Sequence, residues 1–339
     1  MPPPSRFPPP PPRMLSWGPW RRREMLTRCT ADFSSVMCIP LDDHGFHRGH
    51  AVFDTAMLRD GHLYDLEGHI ARFFRSAEAA RIALPASFSR ARVRDLCLAT
   101  AAAGGVRERG SVRYWLSAGR GGFGLSPAEC QPRHTSPSGP LTAQLYVAAI
   151  EDGPPTARPE VGWRLVTSGV EAKPPYFATL KSTNYLPNVL CVMDAQAVGC
   201  DQGVFLDPDG SVLEGPNMNL AIVAGGELVT PPFDSVLAGR TVQRAMELAE
   251  EAVEAGRLPG VSRVRFGKFD LEAAKTAAEV MVLGSGTIVM PVVEWDGEPV
   301  GGGAPGPAAL ALRSAVAADM RPRPGSPLHL PVPYAAYGT

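Results

Sequence analysis

Apolar and polar positions change period several times along this chain, and each change predicts an element. Ala51 to Leu58 reads as a strand, and Asp60-Gly61 turns it back into His62-Leu63-Tyr64. A helix follows over Glu67–Ile82, with Ile70, Phe73, Phe74 and Ala77 on one face and Pro85 as its stop. Ser111–Ser117 and Gln144–Ile150 are further strands. The second half restarts with a strand over Gly162–Thr167 and a helix over Pro187–Val198, with proline tolerated in the first turn. Val204–Leu206 and Ser211–Leu213 flank Asp207-Pro208-Asp209-Gly210 as a hairpin, and Leu220–Ala224 and Glu227–Val229 flank Gly225-Gly226 as another. A helix over Thr241–Ala255 turns Val242, Met246, Ala249 and Val253 inward. Glu279–Leu283 is an apolar strand, and Ala308–Met320 is a last helix before a proline-rich tail. Strands and helices mix without a clean βαβ alternation, so the expected class is α+β.

The chain has 339 residues, enough for two domains, each able to bury a core. Residues 1–30 read as a Pro/Arg-rich leader, 31–150 as a small α+β domain, 151–160 as a proline- and glycine-containing linker, and 161–339 as a larger domain. The formal net charge of −1 gives no global field for nucleic acid or a membrane surface. Six cysteines without a Cys-x-x-Cys pair read as reduced thiols. No apolar run is long enough to predict a transmembrane helix. The leader is basic and has no acid before Glu24, which fits organelle import as well as a cytoplasmic tail; chloroplast and cytoplasm both stay open.

Lysine is nearly absent. Of 33 basic residues four are lysines: Lys173, Lys181, Lys268 and Lys275. Arginine cannot form an imine, whereas a lysine that loses its proton when partly buried can attack a carbonyl. Lys181 stands in Leu180-Lys181-Ser182-Thr183-Asn184-Tyr185, a polar segment leading into an apolar run.

Other segments allow chemistry without requiring it. Glu214 in Leu213-Glu214-Gly215-Pro216 is either a turn acid or a buried acid facing a cationic ring nitrogen. Gly239-Arg240-Thr241 enters a helix, either as an anion site built from the Arg240 and Thr241 amides or as a plain Thr cap. Gly284-Ser285-Gly286-Thr287 offers hydroxyls and free N–H donors after a strand. Gly119 to Gly124 fits the spacing of a dinucleotide loop but is followed by Pro127, so a flexible cleft loop is expected instead. Asp42 to His50 holds three imidazoles and two carboxylates. Gly45 and Gly49 are expected to break any helix there, and Arg48 adds positive charge, so no metal is predicted.

In this order the segments resemble the fold-type IV pyridoxal-phosphate enzymes, the class IV aminotransferase family. The resemblance rests on Asp43 to Thr55, His69 to Arg72, Lys181 to Asn188, Glu214 to Asn219, Gly239 to Thr241 and Gly284 to Pro291. The wording of Lys181–Asn188 and Glu214–Asn219 is similar to the plant D-amino-acid-transaminase-like subgroup. The resemblance implies a small α+β domain, a larger pseudobarrel domain, pyridoxal 5'-phosphate between them, and a homodimer. It makes Lys181 the Schiff-base lysine and Glu214 the partner of the pyridine nitrogen. Tyr185 would bond the ring's 3-oxygen, with Asn219 bracing that wall. Arg72, the Arg240 and Thr241 amides and Ser285 would hold the phosphate, and Gly286 and Thr287 would face the substrate carboxylate.

The Arg-x-His pair of the bacterial D-amino-acid enzymes is missing from the loop after the Ser111 strand. Phe53 stands where those enzymes often have tyrosine. Arg48, Arg113 and the Arg240 side chain are then the cationic candidates for the substrate clamp, Arg113 foremost. The expected reaction moves an amino group between an amino acid, D-alanine first, and a 2-oxo acid. Lysis of aminodeoxychorismate to 4-aminobenzoate and pyruvate, or a branched-chain L-aminotransferase, are the alternatives.

Overall fold

The computed structural model describes residues 39–84, 88–129, 135–136, 139–140, 143–153 and 158–338. The Pro/Arg-rich leader and residues 154–157 of the expected linker lie outside these residues.

The first half builds a five-stranded antiparallel sheet. β1 (Ala51–Arg59) sits at its centre, flanked by β2 (His62–Tyr64) and β3 (Arg109–Ser117), and β6 (Gln144–Glu151) pairs with β3. A short hairpin, β4 (Thr135–Ser136) and β5 (Gly139–Pro140), precedes β6. α2 (Leu66–Ala79) buries Ile70, Phe73 and Ala77 against this sheet, as its apolar face predicts. α3 (Arg90–Ala103) adds Val93, Cys97 and Ala101 to the same core. The sheet's fifth strand is β15 (His329–Pro331), which pairs with β2 through His329–Tyr64 and Leu330–Leu63. The tail counted with residues 161–339 thus packs on the first sheet.

The second half builds a larger mixed sheet in the order β11 (Arg263–Phe266), β10 (Glu227–Thr230), β9 (Asn219–Ala224), β12 (Glu279–Gly284), β13 (Ile288–Trp295), β7 (Trp163–Thr167) and β8 (Gln202–Val204), with β14 (Glu298–Pro299) beside β13. Its central strands are apolar on both sides because both sides are covered. Val223 and Met281 meet α6 (Arg240–Glu254) and α8 (Pro307–Asp319) on one side. Ile222, Val280 and Trp295 meet a second core on the other, near α7 (Leu271–Lys275). α4 (Pro175–Ala178) and α5 (Leu186–Ala197) lead from β7 to β8.

One expectation fails locally. Gly45 and Gly49 do not prevent a helix: α1 (His44–Arg48) forms with Asp43 as N-cap and ends on Gly49 at φ 67. Glycine is tolerated inside so short a helix, and Gly49 serves as its left-handed stop.

Candidate active site

Lys181 is held by its backbone between the two halves. Its carbonyl accepts the Phe53 N–H at 2.9 Å, and its own N–H donates to Ser76 Oγ on α2 at 3.2 Å. The Thr183 N–H donates to the Ala51 carbonyl, so residues 181–183 run along the start of β1. The side chain then enters an open cleft of about 1590 Å³. Nζ lies 3.4 Å from the Tyr185 hydroxyl and 4.8 Å from the Phe53 ring centroid. Burial is the main reason its ammonium titrates low, at about 8, with Arg72 adding to the effect.

Glu214 occupies another wall. It follows the turn closed by the Leu206–Val212 bridge, and its backbone carbonyl accepts the Phe205 N–H. Its Oε2 accepts the Leu237 N–H at 3.2 Å and Asn219 Nδ2 at 3.3 Å. Burial pushes its carboxyl up to about 8 against the opposing charge of Lys173. A cation placed against Glu214 would reverse that rise. Glu214 is half-buried in the cleft wall, as the second of its two readings requires.

The segments expected to hold an anion meet in the same cleft. α6 starts at Gly239, whose lack of a side chain leaves the first N–H groups uncapped. The N-cap is therefore glycine and not Thr241. A Cβ on Gly239 would come within 2.0 Å of Asn219 Oδ1, so the close approach demands glycine. Thr241 Oγ1 lies 3.3 Å from Ser285 Oγ, joining the helix start to the β12–β13 turn. Arg72 is buried, which excludes a solvated surface role, and donates to the Ala238 carbonyl at 3.1 Å.

The cleft is lined by Phe53, Arg72, Arg113, Lys181, Tyr185, Glu214, Asn219, Arg240, Thr241, Ser285, Gly286 and Thr287. Arg113 is exposed on β3 and donates to Thr55 Oγ1 at 3.1 Å. The Arg240 side chain is committed to Asp65, Nε to Oδ2 at 2.7 Å, which leaves its backbone amide as its contribution to the helix start. Arg48 is not in the cleft. It sits on α1 and donates to the carbonyls of Phe123 and Gly124. That contact also corrects the Gly119–Gly124 loop, which packs on α1 and not on the cleft. The carboxylate of Asp43 is engaged by Gly45 N, Ser117 and Tyr146.

Several residues went unnoticed in the sequence. Asp54 is fully buried and holds both His69 and Arg72. Lys173 lines the cleft with its Nζ 4.9 Å from the Tyr185 ring centroid. The rarity of lysine that marked Lys181 marked Lys173 equally.

A family model described as amino-transferase class IV matches residues 51–295. The chain belongs to the class IV aminotransferases. It is 44% identical over 302 residues to a chloroplastic D-amino-acid transaminase of Arabidopsis thaliana, covering 88% of this chain and 76% of that one. A putative branched-chain-amino-acid aminotransferase of Methanocaldococcus jannaschii is 30% identical, over 75% of this chain and 82% of its own. Among solved structures, a branched-chain amino acid aminotransferase of T.th. complexed with N-(5'-phosphopyridoxyl)-L-glutamate superposes with a TM-score of 0.74 at 26% identity, covering 89% of this chain and 92% of that one. The fold is therefore that of the fold-type IV aminotransferases, and the expected α+β class holds. Among the described residues no helix is long and apolar enough to cross a membrane.

Proposed function

We propose that this aminotransferase uses pyridoxal 5'-phosphate to move an amino group from a D-amino acid, D-alanine first, to a 2-oxo acid. One observation carries the reading. The half-buried Lys181 amine, titrating near 8, shares a cleft with a half-buried acid and an uncapped helix start. These residues fit the cofactor: the Arg240 and Thr241 amides, Ser285 and Arg72 suit a phosphate, and Glu214 suits a protonated ring nitrogen. Tyr185 suits the 3-oxygen, braced by Asn219. When bound, the cofactor supplies an electrophilic aldehyde and a ring that takes up electrons.

The chain's own residues do the rest. Lys181 would hold the cofactor through its free amine and, when that amine is released, would carry a proton to and from the substrate Cα. Glu214 keeps a proton on the ring nitrogen by a charge-assisted hydrogen bond, worth about 1.5–3 kcal/mol. Arg113, with the Gly286 and Thr287 N–H groups, binds the substrate carboxylate, and Phe53 walls the site beneath the Lys181 amine. The similarity to the plant D-amino-acid transaminase supports the D-preference.

The decisive experiment is a single half-reaction. The pyridoxal form is mixed with a panel of D- and L-amino acids, and conversion to the pyridoxamine form is followed by absorbance. Conversion fastest with D-alanine is expected; conversion with no amino acid would sink the reading. Release of 4-aminobenzoate from aminodeoxychorismate in that case would select the lyase.

The proposal extends to a homodimer. Leu186, Val189, Leu190 and Met193 form an exposed apolar stripe along α5. Val189 also lines the cleft, so a second copy seated there would border the site. A monomer by sedimentation at micromolar concentration would contradict this. The name of the plant relative supports a chloroplast address, which a fluorescent fusion to residues 1–40 would test.

A further inference from the structure

Ile288 follows the Ser285–Thr287 turn with φ 67, in the left-handed region. A β-branched residue is crowded there, and short hairpin turns that need this conformation ordinarily place glycine in it. Among the described residues, the other non-glycine positions with positive φ are Asp60, Asp65, Arg81 and Asp296, none of them β-branched. Such an outlier persists only where its surroundings over-determine it.

Arg313 provides that surrounding. It lies on α8, and its Nη1 donates to the Thr287 carbonyl at 2.8 Å and to the Val289 carbonyl at 2.5 Å. The two accepting carbonyls flank Ile288 on either side. Glu160 is the acid whose charge Arg313 feels, but no ion pair among the described residues joins them. Arg313, Thr287 and Ile288 all line the cleft. The N–H groups of Gly286 and Thr287 take part in no hydrogen bond among the described residues, so their donors remain available to a ligand.

We infer that Arg313 is a positioning residue for substrate binding: by gripping the carbonyls on both sides of Ile288 it keeps the Ser285–Thr287 turn in the conformation that presents its free N–H groups to the substrate carboxylate. This rests on the proposed assignment of that turn to the carboxylate. A guanidinium suits the task because Nη1 carries two N–H donors fixed in one plane, one for each carbonyl. Without it, Ile288 relaxes out of the left-handed region and the turn re-forms with its donors elsewhere.

The test uses the holoenzyme in the half-reaction with D-alanine, or with whichever amino acid the wild type converts best. Arg313→Met should raise the half-saturating concentration about tenfold or more while leaving the limiting rate within about threefold, the pattern of lost ground-state binding. Ile288→Gly in the Arg313→Met background should restore most of the affinity, because glycine takes the left-handed conformation without help. A merely structural role for Arg313 predicts no such rescue. Unchanged half-saturation in Arg313→Met, or a double variant no better than the single one, would overturn the inference. Should Arg313→Met fail to fold, the same pair of measurements on Arg313→Lys, which keeps the charge but replaces the fixed planar N–H pair with a shorter, freely rotating ammonium, decides it. Failure of the underlying functional reading looks different, since wild type itself would then convert no amino acid.

Discussion

Asp54 and Arg72 form a two-pronged pair in the core of the first half: Nε meets Oδ2 at 2.9 Å and Nη2 meets Oδ1 at 2.7 Å. Burial alone would raise the Asp54 carboxyl, but the charges of Arg72 and His69 outweigh it and hold the group well below the usual carboxylate range. The pair fixes Arg72 so that its remaining Nη1 reaches the Ala238 carbonyl, one residue before the Gly239 N-cap of the uncapped helix. Removing the carboxylate strands a buried guanidinium. Asp54→Ala should cost about 3–5 kcal/mol in denaturant unfolding, with Asp54→Asn costing less. A loss under about 1 kcal/mol would show that the pair contributes little.

Lys181→Ala should abolish both the visible absorbance of the bound cofactor and turnover, while the apo protein keeps its circular dichroism. Lys181→Arg should behave in the same way, because a guanidinium keeps the charge and lacks the chemistry. Full activity in either variant would remove Lys181 from its role.

Uptake of pyridoxal 5'-phosphate by the apo protein should speed up as pH rises toward about 8 and level off above it. The sign follows from the nucleophile: burial lowers the Lys181 ammonium from its ordinary 10.5, and only the deprotonated amine attacks. Stopped-flow absorbance across this range checks it. A rate still climbing steadily toward 10.5 would mean that the amine is solvated.

Glu214→Gln should keep the cofactor but slow turnover by roughly 10²-fold. It should also change the pH dependence of apo stability. The folded-state carboxyl titrates near 8 against an ordinary 4.5, so the folded state holds its proton more tightly. Its contribution is fully present below 4.5 and is lost as pH rises through 8. The glutamine variant should lack this decline relative to wild type; parallel thermal-melt curves for the two proteins would count against the shift.

Elements with a strong period were legible in the sequence. The β1 and β3 strands, α2, α6 and the Gly225-Gly226 hairpin appear within a few residues of their expected bounds. β13 was hidden because Pro291 sits inside it, opposite Met281, and proline argues against a central strand. α3 was hidden because its buried face is small, built from Val93, Cys97 and Ala101 among charged and alanine positions. The site was legible where its chemistry is local. Lys181, Glu214 and the Gly239 and Ser285 segments each carry a signature of a few residues. Asp54 carries none, because its meaning depends on Arg72 arriving from the next helix. Arg48 misled because only its charge was legible: its partners, the Phe123 and Gly124 carbonyls, lie some seventy-five residues away in sequence.

The register between β15 and β2 sets an order of events during synthesis. Leu63 can find Leu330 only after more than two hundred and fifty intervening residues have been made, so the β2 edge stays open until then. An emerging chain therefore presents an unpaired strand that could recruit a neighbour on the same messenger, and His329–Pro331 act as the latch that closes it. Deleting residues 327–338 would leave that edge permanently available, and the expected phenotype is aggregation during expression in place of a gentle loss of activity.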